Sequence, residues 1–460
     1  MPELEQTLEK GLAHHRQGNL SEAEMLYRQV LAAQADHVDA LQLLGVLAHQ
    51  SGRHREAVEL IHRALAHGPV AALYNNLGEA YRELGEDDQA AAAYQQALAL
   101  EPNFAEALNN LGTIYQHRGQ LKEAVELFDR ALACRPDYAT AHNNRARTWL
   151  MQGDYLRGWP EYEWRWRLPE FVRPALAIPE WDGAPLAGRR LLVRAEQGFG
   201  DTLQFIRYVP LLQSQGASVV AEVQDELIPL LTQSGIGPLV PQSAAAVPGD
   251  VHLSLMSLPG RLGTALATIP AGAGYISADA SLVAAWGERL RHLAGVRVGI
   301  CWQGNPRFPN DRLRSIPLAE FEPLARVPGV TLVALQKGHG LEQLAATRER
   351  FAIHDLRPDY DHEAGAFLNA AAVIGNLDLV VTSDTAMAHL AGALGAAAWV
   401  VLPHTADWRW LRDRSDSPWY PTLRLFRQRQ RGDWSSVMKQ VAEQLSERRF
   451  SGAREYLRRT

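Results

Sequence analysis

Along the first third of the chain, apolar and small residues recur at helical spacing inside a unit that repeats. Asn76, Leu77, Gly78, Tyr81, Gly85, Ala90, Tyr94, Ala97 and Pro102 return as Asn110, Leu111, Gly112, Tyr115, Gly119, Ala124, Phe128, Ala131 and Pro136, each 34 residues later. Gly45, Gly52, Ala57, Ala64 and Pro69 precede the first set by 33, and Gly18 and Ala23 precede Gly52 and Ala57 by 34, so about four units lie before residue 142. This pattern predicts paired helices stacked in an array. Gly78, Ala90 and Ala97 let the helices of a pair approach, Leu77, Tyr81 and Tyr94 fill the space between them, and Pro102 closes the unit where a helix must end. The pattern then decays: Asn144, Trp149 and Gly153 keep the phase, Gly158 replaces an alanine, and "WPEYEWRWRLPEF" follows. Trp159, Trp164 and Trp166 read as a seam between the array and what comes next, since terminal repeats are atypical caps.

From Trp181 the pattern alternates between short apolar runs and amphipathic segments. "RRLLVRAE" predicts a strand, "QGFGD" a glycine turn, "TLQFIRYVPLLQSQG" a helix and "ASVVAEV" a second strand, with further short units to about Thr268. A second series runs from "VRVGICW" through the loop "QGNPRFPNDRLRS", a helix over 317–325, "VTLVALQ" and a helix over 364–374. It ends in a strand-helix-strand unit over 379–403, "LVVTSDTAMAHLAGALGAAAWVVLP". Alternation of this kind predicts parallel sheets covered on both faces, with ligands bound beyond the carboxyl ends of the strands. The expected fold class is α + α/β. A helical array over 1–150 and a capping or linking segment over 151–180 precede two Rossmann-like doubly wound halves, 181–290 and 291–460, the second ending in helices.

Composition narrows the function. Of 460 residues 47% are hydrophobic and 21% charged, and the formal charge of -6 gives no electrostatic case for nucleic acid as partner. The aromatic and arginine run at 159–171 is for the same reason not read as a nucleic-acid platform. The start, "MPELEQTLEKGL", lacks the basic and apolar regions of an export signal, and no apolar run approaches the ~20 residues that span a bilayer. Cys134 and Cys301 fall in different expected domains, which excludes a disulfide framework and points to a reducing, cytoplasmic location.

The repeat resembles the tetratricopeptide repeat, whose arrays bind extended peptides or other proteins on an inner surface. Asn76, Asn110 and Asn144 occupy one position in successive units, and a comparable asparagine ladder occurs in protein O-glycosyltransferases, so the resemblance implies peptide-backbone binding by these amides. The alternative is that asparagine is simply tolerated there as a polar helix-surface residue. Leu43 at the equivalent place in the preceding unit keeps any ladder short.

The segments "GFGDTLQFIRYVP", "GNPRFPNDRLRSIPL" and "SDTAMAHLAGALG" resemble the glycosyltransferase family that contains the bacterial heptosyltransferases, over residues 185–445. It implies a GT-B fold, a nucleotide-sugar donor, inversion at the sugar, and neither a cofactor nor a required metal. The motif near the family's donor site is matched by Asp384, Thr385, His389, Leu390 and Ala391, with Ala386 where the family usually has glycine. A methyl group there partly obstructs a phosphate approaching the backbone. The amides of Thr385 and Ala386, at a helix N-terminus, suit a diphosphate. Asp384 would cap that helix or accept hydroxyl hydrogen bonds from the sugar. The resemblance makes Arg314 the cation for the departing diphosphate, with Arg312 assisting, and Asp201, after Gly198 and Gly200, the general base. Asn305 and Gly200, in the matched loops, are expected donor-binding residues with Asp384, Thr385, Ala386, His389 and Arg312, and Trp408 or Trp410 could stack the donor base or else pack a long loop. "DYD" at 359–361 resembles a metal-binding acidic motif of other glycosyltransferases, but precedes a helix in the wrong fold and is not read as a site. The expected function is transfer of a sugar to a hydroxyl, on a polypeptide held by the array. The alternatives are an inactive scaffold, which Ala386 would favour, and a heptosyltransferase-like enzyme acting on a glycan or lipid.

Overall fold

The computed structural model describes residues 2–173, 176–244, 248–308, 311–357, 360 and 366–447. The chain divides into two compact units, Met1–Trp149 with Glu161–Val172, and Leu150–Pro160 with Arg173–Thr460. The segment expected to be one linker, 151–180, is therefore shared out between them.

The first unit is built from antiparallel helix pairs: α1 (Pro2–Arg16) with α2 (Leu20–Ala33), α3 (Val38–Gln50) with α4 (His54–Leu65), α5 (Ala71–Leu84) with α6 (Asp87–Leu100), and α7 (Ala105–His117) with α8 (Leu121–Cys134). The glycine of the repeat is explained by what faces it. A Cβ on Gly78 would stand 2.5 Å from Tyr94 Cε1, and one on Gly112 2.7 Å from Phe128 Cε1. The aromatic ring thus lies directly on the bare backbone of its partner helix, and the pair closes to a distance no side chain would permit. Gly85, at φ 79°, ends α5 in the left-handed conformation, and the Glu86 N–H donates back to the Tyr81 carbonyl at 2.9 Å. This is the helix stop that glycine allows cheaply.

The second unit holds two all-parallel sheets. Strands β1 (Arg190–Arg194), β2 (Ser218–Val223), β3 (Leu239–Pro241) and β4 (Val251–Ser254) are ordered β3-β2-β1-β4; strands β5 (Val296–Cys301), β6 (Val330–Ala334), β7 (Leu379–Ser383), β8 (Ala398–Leu402) and β9 (Leu423–Arg427) are ordered β6-β5-β7-β8-β9. Val193 pairs with Ala221 in the first sheet, and Val298 with Leu379 in the second. Every residue of β7 and β8 is buried, as strands covered on both faces require. One face of the second sheet, through Val298, Ile300, Val381 and Val401, packs on Phe321, Leu324, Val437 and Val441, which the helices near 320 and Trp434–Glu447 supply.

Two elements differ from expectation. The helix expected over 202–216 starts earlier, at Phe199 with Gly198 as N-cap, and breaks into Phe199–Phe205 and Tyr208–Ser214. Pro210 has no N–H to return to the Ile206 carbonyl, so one continuous helix cannot form across that step. The expected helix over 317–325 is a 3₁₀ turn, Leu318–Phe321, followed by the short helix Glu322–Ala325. Residues 364 and 365, where another helix was expected to begin, and Asp359 and Asp361 of "DYD" lie outside the described residues.

Candidate functional site

The chemistry-bearing residues of the second unit stand in the loops that leave β1, β5, β7 and β8 at their carboxyl ends. After β1, the short helix Phe199–Phe205 carries Asp201 at its third position, where one carboxylate oxygen accepts from the Gly198 N–H at 2.9 Å. The other oxygen accepts from Arg409 Nη2 in a close ion pair. Arg409 belongs to the turn Trp408–Trp410 after β8, so this bond ties a loop of the first sheet to a loop of the second. Its other donors go to Gln204 Oε1 and Asp407 Oδ1, each at 2.8 Å, and its guanidinium lies 4.4 Å from the Trp408 ring centre. Burial pushes the Asp201 carboxyl above the usual range; Arg409 opposes that push, while Asp407 adds to it.

After β7 the chain turns through Asp384 and Thr385 into the helix Ala386–Ala393. Thr385, not Asp384, is the N-cap, and its hydroxyl is not used as a cap; it lies 3.3 Å from Thr382 Oγ1. Asp384 is buried, and that burial, with the Asp407 carboxylate, raises its pKa to about 6 against the pull of Arg314 and Arg409. The indole N–H of Trp410 also favours its charged form but stands outside ordinary hydrogen-bond geometry. His389 is buried against Trp410, with ring centres 5.4 Å apart, and its Nδ1 is 2.9 Å from the Tyr420 hydroxyl. Burial first, and then the Arg409 charge, depress its pKa to about 3, so the imidazole is neutral at physiological pH. A Cβ on Gly200 would fall 2.7 Å from His389 Cδ2 and 3.5 Å from Ala386 Cα. Gly200 therefore brings Asp201, its neighbour in sequence, against the first turn of the Ala386–Ala393 helix.

After β5 the loop is held from inside. Gln336 Oε1 accepts from the backbone N–H groups of Trp302 and Gln303, both at 3.0 Å, and its amide donates to the carbonyls of Gln303 and His339. Within that frame Asp311 is buried; it accepts from Arg314 Nε at 3.1 Å and from Ser315 Oγ at 2.9 Å, and Ser315 Oγ accepts from the Gly304 N–H. Arg314 lies 4.5 Å over the Phe308 ring and contributes the positive charge felt by Asp384.

Asp201, Gly200, Arg314, Asp384, Thr385, Ala386 and His389 thus gather at one edge. Arg312 and Asn305 are exposed, and Asn305 shapes the loop by accepting from the Arg307 N–H at 3.0 Å. Trp408 and Trp410 offer no ring face to a nucleotide base, being 1% and 0% exposed. Trp408 packs at 5.3 Å from Trp159 and 6.4 Å from Trp419 and Phe205, so the loop-packing alternative is the one realised. Sequence reasoning missed Arg409, Asp407 and Gln204. Arg409 stands between two tryptophans, and nothing in the local sequence shows that it reaches residue 201. Three buried polar atoms in these same segments, Ser383 Oγ, Trp410 Nε1 and Gln204 Nε2, have no protein hydrogen-bond partner. Among the described residues no group of three or more His, Cys, Asp or Glu side chains could hold a metal ion.

In the first unit the asparagines form a chain of their own. Asn110 Nδ2 donates to Asn75 Oδ1 at 3.1 Å and Asn144 Nδ2 to Asn109 Oδ1 at 3.0 Å, while Asn109 Nδ2 lies 3.4 Å from Asn110 Oδ1. The first two of these cross from one repeat to the next, and the third links neighbours on one helix. Asn110 and Asn144 are thus engaged with the preceding unit, and Asn76 stands partly exposed at the head of the series.

Family models described as tetratricopeptide repeat match residues 14–81 and 105–138, and one described as TPR repeat matches residues 78–118. Residues 14–138 are tetratricopeptide repeats. Protein FlbA of Caulobacter vibrioides is 26% identical over 448 residues, covering 90% of this chain and 73% of FlbA. Tetratricopeptide repeat protein 7B of Homo sapiens is 31% identical over 93 residues, 20% of this chain and 11% of that protein. Among solved structures, a MamA structure is 26% identical and covers 37% of this chain and 94% of its own, at a TM-score of 0.31. YrrB, a TPR protein with an unusual peptide-binding site, is 20% identical and covers 36% of this chain and 85% of its own, at a TM-score of 0.30.

Proposed function

We propose that the α/β unit is a glycosyltransferase of the heptosyltransferase-like, GT-B kind and that the tetratricopeptide array presents its acceptor, a polypeptide. The observation that carries this reading is the meeting of Asp201 and Arg409 with Asp384, His389 and Arg314 at the carboxyl edge of parallel strands. In the proposed reaction Asp201 takes the proton of the acceptor hydroxyl as its oxygen bonds to the anomeric carbon. The bond from that carbon to the diphosphate oxygen breaks, and the nucleoside diphosphate leaves with the bonding electrons. Arg314 and the first amides of the Ala386–Ala393 helix would offset the charge that grows on it. The neutral His389 and the buried Asp384 would accept or donate hydrogen bonds at the donor sugar. No cofactor enters these steps; the nucleotide sugar is a substrate.

A titration of the full chain against nucleotides and nucleotide sugars tests the reading, followed by transfer assays with Asp201→Ala. Donor binding that survives the substitution while transfer is lost supports it. Unchanged turnover in Asp201→Ala removes the base assignment. The second reading, a scaffold without catalysis, draws on Ala386, whose methyl group crowds the helix N-terminus where a diphosphate would sit. The bonds among asparagines in the array also count against a peptide-backbone role for Asn110 and Asn144, so the acceptor would be held by other groups of the array.

A further inference from the structure

We infer that Arg409 is the positioning residue for Asp201, fixing the carboxylate that takes the acceptor proton from a loop of the opposite sheet. The inference rests on the proposed function for its catalytic meaning, but its geometry and its test do not. Three partners hold the guanidinium fork at once: Nε on Gln204 Oε1, Nη1 on Asp407 Oδ1 and Nη2 on Asp201 Oδ1. Arg409 is 8% exposed, and a planar fork tied at three corners has no freedom to swing away from Asp201. Gln204 belongs to the same short helix as Asp201, while Asp407 caps the turn that carries Arg409, its Oδ1 accepting from the Arg409 N–H at 3.1 Å. One residue therefore reads the position of both loops.

The arrangement offsets part of a conflict at Asp201. A buried carboxylate drifts toward its protonated form and cannot then accept a proton. Asp407 and Glu196 push it the same way by like-charge repulsion, the neutral His389 on the packed helix contributes no full charge, and the Gly198 N–H and Arg409 pull it back. Arg409 is the cation bonded to Asp201. A base oriented and kept ionised by a third group is the general logic of activated catalytic pairs. Placing that group on the other sheet makes the base depend on the loop that follows β8, beside the proposed donor seat.

The test uses full-length, ligand-free protein carrying carbon-13-labelled aspartate carboxyls, with Asp201→Asn to assign the resonance. Its titration midpoint is compared in the natural chain, Arg409→Gln and Arg409→Lys. Loss of a bonded opposite charge raises a carboxyl midpoint by about 1–3 pH units, so Arg409→Gln should shift it upward by about one unit or more. Arg409→Lys, which keeps the charge but not the fork, should recover part of that shift. Gln204→Met, which frees one corner of the fork and leaves every charge in place, is the variant to use if Arg409→Gln does not fold; it should raise the midpoint by a smaller amount. Equal midpoints in all folded variants would overturn the inference. A nucleotide-sugar titration that found no binder would overturn the proposed function and leave this result standing.

Discussion

The asparagine ladder of the repeat array and the strand-end loops of the α/β unit handle buried polar groups in opposite ways. In the array, Asn110 and Asn144 each donate a hydrogen bond to an asparagine of the preceding repeat, so amides that could face a ligand are engaged in keeping the stack in register. Where that ladder runs out, a buried asparagine oxygen, Asn143 Oδ1, is left without a protein partner among the described residues. In the α/β unit, the partly buried carboxylate of Asp201 and the buried one of Asp384 share the surroundings of a third at 407, and Ser383, Trp410 and Gln204 each hold an unpartnered polar atom nearby. An unpartnered buried polar group costs about 1–3 kcal/mol, which a fold keeps where something other than stability is served. The contrast gives the ladder's asparagines a structural part and is what the proposed function draws on at the α/β edge.

The largest expected effect separates packing from recognition within the α/β unit. Trp408→Ala should destabilise that unit by about 3–5 kcal/mol in urea unfolding, because the ring fills the cluster of Tyr155, Trp159, Phe205 and Trp419. A variant that keeps its stability and loses only nucleotide affinity would restore base stacking by Trp408.

Next is the burial of Asp384. Its carboxyl is raised from the usual 3.8 to about 6, so between those pH values the folded chain binds more protons than the unfolded one and stability falls as pH rises. Asp384→Asn lacks that loss. Its stability relative to the natural chain should grow by roughly 1–3 kcal/mol between pH 4 and pH 6 and then level off. A difference that stays flat over the window contradicts the burial account.

Two glycines of like geometry sharpen the comparison. Gly78→Ala in the array and Gly200→Ala in the α/β unit each press a new methyl on an aromatic ring, Tyr94 or His389. Each should cost about 1–2 kcal/mol after the gain in helix propensity is set against the clash. Only Gly200→Ala should also weaken nucleotide-sugar binding, since it displaces the first turn of the Ala386–Ala393 helix; equal binding in both variants would separate Gly200 from the site. Smallest is Asn110→Ala, which strands Asn75 Oδ1 and should lower the melting of the array by an amount worth about 1 kcal/mol. No change would mean that the ladder bonds contribute nothing to register.

The array was legible because its signal repeats: a glycine opposite an aromatic 16 residues on, as Gly78 to Tyr94 and Gly112 to Phe128, states a contact in the sequence itself. The parallel strands were legible because β8 is an unbroken apolar run and β7 opens on one, Leu379 to Val381. What escaped was set by tertiary reach. The break after Phe205 follows from Pro210 and could have been read. Arg409 could not, because its partner stands 208 positions away, on another sheet. The N-cap was misplaced by one residue because Asp and Thr are both good caps and only the backbone decides between 384 and 385. Burial of Trp408 and Trp410 was likewise invisible locally, since aromatic residues in a long loop serve packing and stacking alike.

The central claim, that the α/β edge seats a nucleotide-sugar diphosphate, is tested most directly by isothermal titration of the full chain with a panel of nucleoside diphosphates and their sugars. The account predicts saturable binding of at least one member, weakened about tenfold or more by Arg314→Ala, which removes the cation beside Asp384. No binding by any member, or binding that Arg314→Ala leaves unchanged, would contradict it.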